Sequence, residues 1–225
     1  MEDNGARIRN IDWLGWEAAG HPLPGAAAHE SMMPYARTSA EEARQKGEAG
    51  KDYREAAVMI GLDAKGTIAL IERTPDKGPH GGQMAMPGGA REQGETMEAC
   101  AMREWREELG LPDSCVPLRP PVAMTEIHVA PSHFIVRPFL APVALPGELA
   151  PDPIEVAEVH HIQMAHLVGG RYRMKQPVRV YMPETGAFQW TVPGFSLPGV
   201  PFVWGATALM LSEVAAWYDE WAVAP

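Results

Sequence analysis

"GGAREQGETMEACAMREWREELGL", Gly88 to Leu111, carries six glutamates in 24 residues and sets Glu104, Glu107 and Glu108 within two helical turns. Met102, Trp105 and Leu109 recur at helical spacing and Gly110 is a stop signal, so the stretch predicts a helix over 95–109. At about 100° per residue the three glutamates share one arc. On an isolated helix each such like-charge pair costs a few tenths of a kcal/mol, which Arg103, one turn before Glu107, offsets in part. A solvated acidic face is the plain explanation. Against it stand the apolar face that anchors the helix and the upstream Pro87-Gly88-Gly89, read as a double-glycine turn that lets backbone approach a ligand closely. Carboxylates crowded on an anchored helix opposite such a turn suit Mg²⁺ or Mn²⁺, hard cations that take oxygen ligands.

Outward from this helix the chain alternates short apolar runs with turns. "AAVMIGL" (56–62) and "TIALIER" (67–73), separated by "DAKG", read as a hairpin of buried strands. "TPDKGPHGGQ" is a polar loop, and "MAMPGG" a brief strand. Further strands are expected at 122–128, 134–143 and 156–163, with a hairpin-like pair at 178–183 and 188–192. A closing helix near 204–221 shows an apolar stripe of Ala206, Leu209, Met210, Val214, Trp217 and Trp221. Residues 1–55 read as an N-terminal extension that packs on the core. It holds a short helical stretch near 8–19, the turn "HPLPG", and a charged run from Thr38 that reads as a solvated helix or loop. The expected fold class is α+β, a mixed central sheet between helices, in one domain over 56–225.

Composition narrows the function. A formal charge of −10 disfavours nucleic acid and anionic membranes as partners. No apolar run of about 18 residues suggests a membrane span. The acidic start lacks a signal pattern, and the two cysteines, Cys100 and Cys115, have no metal-cluster spacing, so a cytoplasmic protein is expected. A homodimer is left open. The 22 glycines and 22 prolines favour turns and short strands over a helix bundle.

The spacing within the opening stretch is more specific than its composition. From Gly89 it runs five residues, Glu95, seven residues, then Arg103-Glu104-Trp105-Arg106-Glu107-Glu108-Leu109-Gly110-Leu111. This resembles the Nudix box, G-x5-E-x7-R-E-U-x-E-E-x-G-U with U apolar, at every fixed position. Trp105 stands where a smaller aliphatic residue is usual. The resemblance implies a Nudix α/β/α sandwich with a central catalytic helix, and Mg²⁺- or Mn²⁺-dependent hydrolysis of a nucleoside diphosphate linked to another moiety. It makes Glu104, Glu107 and Glu108 metal ligands and adds Glu95 as a supporting or outer-sphere one. Arg103 orients them, and base duty falls to a box glutamate, Glu107, or to a glutamate from a later loop. Glu155, after "PDPI", is the candidate there, ahead of Glu158.

The surroundings point toward a substrate. "LIERT" and "HGGQMAMPGG" resemble the signature of the coenzyme A pyrophosphatase branch, LLTxR…HxGQ(V/I)(A/S)FPGG. That resemblance implies substrate contacts from Arg73, His80, Gln83, Gly88 and Gly89. Met86 replaces the usual phenylalanine, and Gly78 stands where an arginine is expected, which leaves Lys77, His80 or Arg91 to meet phosphates. Segments 22–37, 130–141, 151–159 and 202–214 are also similar to bacterial members. Another nucleoside diphosphate conjugate, such as ADP-ribose, is the alternative substrate. A noncatalytic binding module is a remote one, because such modules usually lose box glutamates.

Three weaker signals lose to simpler readings. "GFSLPG" has Pro198 where a nucleophile elbow needs glycine. His160 and His161 point to opposite faces of a strand and cannot share a metal. Trp190, Trp204 and the aromatics between Phe195 and Phe202 read as core or dimer-interface packing rather than a surface that stacks on adenine.

Overall fold

The computed structural model describes residues 10–33, 42, 53–75, 80–182 and 186–223. The N-terminal part holds β1 (Asn10–Ile11), α1 (Trp13–Ala18) and a 3-10 helix (Gly25–Met32). The middle holds β2 (Arg54–Leu62), β3 (Thr67–Arg73), β4 (Met84–Ala85), β5 (Gly88–Ala90), α2 (Met97–Leu109), β6 (Val122–Ala123), β7 (Ile127–Val129) and β8 (Phe134–Pro142). There follow β9 (Val156–Gln163), α3 (Met164–Leu167), β10 (Arg173–Met182), β11 (Gly186–Phe195), β12 (Val203–Trp204), α4 (Gly205–Trp221) and β13 (Ala222–Val223).

β2 organises the molecule because its apolar run can be buried on both faces. It pairs in parallel with β8 from Arg54↔Phe134 to Leu62↔Pro142, and antiparallel with β5 and, at Leu62↔Ile68, with β3. The eight-stranded mixed sheet runs β4-β3-β2-β8-β6, with β5 on β2, β7 on β8 and β9 on β3. Side chains alternate across β2. Ala57 and Met59 pack with Cys100, Ala101, Trp105 and Leu109 of α2, while Val58, Ile60 and Leu62 share a core with Leu211, Val214 and Trp217 of α4. The sheet therefore lies between two helical layers, as expected.

Two elements differ from the sequence reading. Gly88 and Gly89 form strand rather than turn, because their missing side chains allow β5 to lie against β2; a Cβ on Gly88 would collide with the Ala57 carbonyl and the Val58 side chain. The strand expected over 122–128 splits in two. Four steps from Ala123 to Ile127 face three from Phe139 to Val136, and Pro138, in that gap, has no N–H to donate to a ladder. The hairpin of β10 and β11 is longer than expected, pairing from Arg173↔Phe195 to Met182↔Gly186. The run from Thr38 lies largely outside the described residues, as do Lys77 and Gly78.

α4 is also more buried than a stripe requires. Residues 10–33 cover its outer side: Trp13 and Trp16 lie 5.2 and 5.1 Å from the Trp217 ring, and β1 pairs with β13. Glu213, fully buried, takes His29 Nε2 at 3.0 Å and a hydrogen bond from the Thr125 hydroxyl at 2.7 Å. No helix among the described residues is long and apolar enough to cross a membrane.

α2 begins and ends where its side chains dictate. Thr96 Oγ1 accepts the Ala99 N–H at 3.1 Å, so the helix starts after Glu95 rather than at it. Gly110 closes it at φ 63°, and a Cβ there would run into the Ala150 carbonyl. Left-handed backbone costs a non-glycine residue about 1–2 kcal/mol, and the backbone of Ala150 cannot swing aside as a side chain would. Gly110→Ala is expected to lose more than that strain alone, read as a lowered midpoint in urea denaturation; an unchanged midpoint would refute the packing described.

Candidate active site

Arg103 gathers the glutamates. Its Nε and Nη2 donate to the two carboxylate oxygens of Glu95 at 2.9 and 3.1 Å. Nη1 donates to Glu104 at 2.8 Å and to Glu107 at 3.1 Å. Because Thr96 caps the helix, Glu95 stands before the first turn and reaches the guanidinium from outside. The Arg103 hydrogen bonds hold the Glu95 carboxyl below the ordinary carboxylate value, and reciprocally keep Arg103 firmly charged.

Glu104 and Glu108 have different surroundings. Glu104 sits against β5 in space that exists because residue 89 is glycine, since a Cβ there would occupy its carboxylate. Burial is the main cause pushing its pKa up, with Arg103 opposing and the charges of Glu107 and Glu155 adding. Glu108 is buried at 2% exposure, and its Oε2 accepts the Gly88 N–H at 2.7 Å. Burial raises its pKa to about 7, against the opposing Gly88 N–H and the Arg73 guanidinium, whose Nη1 is 3.7 Å from Oε1. Glu107 is the exposed member of the three, its side chain 60% accessible.

Glu155 joins this group from the far side of the chain. The Thr74 N–H bonds its carbonyl at 3.1 Å and the Thr74 hydroxyl bonds the Ile154 carbonyl at 2.9 Å, which ties the start of β9 to the end of β3. There its charge adds to the raised pKa values of both Glu104 and Glu108. Glu158 does not join it. Ile71 and Val159 pack with the α2 layer, whereas Leu70 and Ile162 pack with the α4 layer. By strand alternation Glu72, Glu158 and His160 therefore share the α4 side of the sheet. These three place one ligand atom each within 4.8 Å of one another, with His160 Nε2 3.3 Å from Glu72 and 3.8 Å from Glu158. His160 is buried and His161 exposed, so the adjacent histidines do face opposite ways.

The box fits a divalent cation. Glu95, Glu104 and Glu107 bond Arg103, Glu108 lies 3.7 Å from Arg73, and the Glu155 charge acts on Glu104 and Glu108. Burial is the main cause that pushes the Glu104 and Glu108 pKa values up, with Arg103 and Arg73 opposing it. The donors are all oxygen, as Mg²⁺ and Mn²⁺ prefer. Glu104, Glu107 and Glu108 lie on one helix with Glu95 beside them across Arg103, whereas Glu72, Glu158 and His160 are the described residues whose ligand atoms lie within 4.8 Å of one another.

Beside the box lies a cavity of about 390 Å³ whose wall includes Arg73, His80, Gln83, Gly88 and Gly89. Arg73 Nε is buried and makes no hydrogen bond among the described residues. His80 Nδ1 lies 3.3 Å from Gln83 Oε1, and the Gly82 N–H and Gln83 carbonyl both bond Arg73 backbone, at 2.9 and 3.1 Å. Arg91 is engaged elsewhere, with Glu55 at 2.7 Å and the Glu95 carbonyl at 2.9 Å. Trp190 and Trp204, read from sequence as packing residues, line this cavity and are half-buried, whereas Phe195 is core. Val180, which the sequence reading passed over, and Met210, read there as part of the core-packing stripe, line it too. The signal for Val180 was the period-two alternation of Val178, Val180, Phe188, Trp190 and Val192 along the hairpin.

Residues 52–183 match the family model described as the NUDIX domain. The chain belongs to the Nudix family. It is 33% identical over 172 residues to an uncharacterized Nudix hydrolase, NudL, of Escherichia coli O7:K1, covering 73% of this chain and 82% of that one. The corresponding NudL of Shigella boydii serotype 18 is 32% identical over the same coverage. Among solved structures, the MutT protein from Methanosarcina mazei Go1 superposes with a TM-score of 0.48 at 14% identity, covering 76% of this chain and 98% of that one. The Nudix hydrolase RenU of M. smegmatis gives a TM-score of 0.40 at 27% identity, covering 50% and 71%. As a Nudix hydrolase the chain acts on pyrophosphate bonds of small nucleotide-type molecules.

Proposed function

We propose that this Nudix hydrolase cleaves the diphosphate of coenzyme A or its derivatives, with Mg²⁺ or Mn²⁺, to 3′,5′-ADP and 4′-phosphopantetheine or its conjugates. One observation carries the substrate assignment. Residues of the branch signature that lie apart in sequence, Arg73, His80, Gln83 to Met86, Gly88 and Gly89, line a single cavity, and two of them, Arg73 and Gly88, also face the buried Glu108.

In this reading the chain's own groups divide the work. Arg103 holds Glu95, Glu104 and Glu107 in fixed relation, and the Gly88 N–H fixes Glu108. When bound, the divalent ion supplies charge stabilisation at the phosphates and acidifies a water. Arg73, with its unpaired buried Nε, meets a phosphate oxygen, and His80 adds a second cation when protonated. Glu155, close to Glu104 and Glu108, takes the proton from the attacking water. Lys77, three positions before His80 in the sequence, is the further cation this reading assigns to phosphate.

The test is incubation of the protein and Mg²⁺ with coenzyme A, dephospho-coenzyme A and ADP-ribose, read by mass spectrometry of products. Cleavage of ADP-ribose with coenzyme A left intact would overturn the assignment in favour of that alternative. His80→Ala is expected to raise KM for coenzyme A about tenfold or more, since a charged hydrogen bond is worth about 1.5–3 kcal/mol. The rise for dephospho-coenzyme A should be smaller if His80 meets the 3′-phosphate. Equal changes for both would place His80 at the diphosphate instead.

A further inference from the structure

The cavity beside the box is chemically two-ended. Arg73 and Gly88, which face Glu108, mark its box end, with His80 and Gly89 also in the wall. Much of the remaining wall is apolar: Val180, Trp190 and Val192 from the hairpin, Phe134 and Val136 from β8, and Met210 from α4. The Thr207 hydroxyl is already committed, donating to the Met84 carbonyl at 2.9 Å. A nucleobase placed here would bury edge donors and acceptors with few groups to answer them, which is costly. An aliphatic chain asks for none.

The hairpin itself supports the same conclusion. Its register sets Val178 opposite Trp190 and Val180 opposite Phe188, so these side chains share one face of the ribbon. That face grades outward from Val192, 1% exposed, to Phe188, 37% exposed, with the Phe188 and Trp190 rings 6.1 Å apart. Val192, Trp190 and Val180 of this face line the cavity, and the more exposed Phe188 extends the apolar surface beyond it.

We infer that β10 and β11, with α4, form a specificity site for an aliphatic arm, an alkyl or acyl chain, carried by the diphosphate substrate. Trp190 and Val180 are its specificity-determining residues. The inference rests on the box and Arg73 holding the diphosphate, but not on the rest of the substrate being coenzyme A.

The experiment uses the full chain with Mg²⁺ and methylene-bridged bisphosphonates bearing linear alkyl chains of two, six and ten carbons, which cannot be cleaved at the bridge. Calorimetric titration should show affinity rising by about tenfold or more from the shortest chain to the longest, as apolar surface is buried. In Trp190→Ala, and separately in Val180→Asp, that dependence should flatten while the two-carbon compound keeps its wild-type affinity. Chain-length independence in the wild type, failure of the ten-carbon compound to bind, or a dependence that survives in both variants would each overturn the inference. Coenzyme A cleavage by the same preparation bears on the proposed function alone, so the two readings fail separately.

Discussion

Glu108→Gln should lower turnover by two to three orders of magnitude and, without metal, make the protein more stable above neutral pH. The first effect follows from removing a charged donor from the box. Metal-bound charge stabilisation contributes several kcal/mol, and each 1.36 kcal/mol is tenfold in rate. The second follows from burial. The Glu108 carboxyl ionises at about 7 in the folded chain against 4.5 ordinarily, because desolvation outweighs the Gly88 N–H and Arg73. A raised folded value means that the native state holds its proton more tightly than the unfolded state. No penalty is present below about pH 4.5; it grows as pH rises toward 7 and stays constant above. A shift of about 2.5 units corresponds to about 3 kcal/mol, an order-of-magnitude figure. The neutral amide removes that penalty and keeps an oxygen for the Gly88 N–H. Urea denaturation in excess chelator, at pH 5 and pH 8, should show a clearly larger separation of variant from wild type at the higher pH. Near-normal activity of Glu108→Gln, or a stability gain that ignores pH, would remove Glu108 from the assigned role.

The contrast between Glu108 and Glu107 shows what sequence could and could not reveal. Spacing alone placed both on one face of one helix, and the helix, its cap and its stop were legible because they depend on local chemistry. Thr96 shifted the start by two residues, which sent Glu95 outside the helix and into Arg103. Which glutamate is buried was not legible, because that depends on β5 lying against β2, a contact between residues some thirty positions apart. The glycines that permit it were visible, yet they read equally well as a turn. The cavity's far wall was hidden for the same reason. Val180 and Trp190 show only strand alternation in the sequence, and tertiary packing decides whether an alternating face meets a core, a partner or a ligand.

Glu155→Gln is expected to lower kcat strongly with little change in KM, whereas Glu158→Gln should be mild. The sequence offered both as later-loop glutamates, three residues apart, with nothing beyond position to separate them. The structure supplies the physical difference. Glu155 precedes β9, where Thr74 pins its backbone to the end of β3, and its charge is felt by both Glu104 and Glu108. Glu158 lies beyond the irregularity in the β3–β9 ladder, with Glu72 and His160 on the α4 side, and its side chain is 67% exposed. A proton acceptor that acts on the attacking water contributes about 10²–10⁴-fold, so loss of the carboxylate at 155 should fall in that range. KM should hold, because the amide keeps the size of the group and the phosphates are met by other residues. The pH profile distinguishes a base from a merely structural carboxylate. Removing the base should abolish the acidic limb of kcat against pH, whereas loss of a structural contact should lower the whole curve and leave its shape. Equal and small effects at both positions would return Glu155 to an ordinary surface role and leave the base among the box glutamates, with the exposed Glu107 first to test.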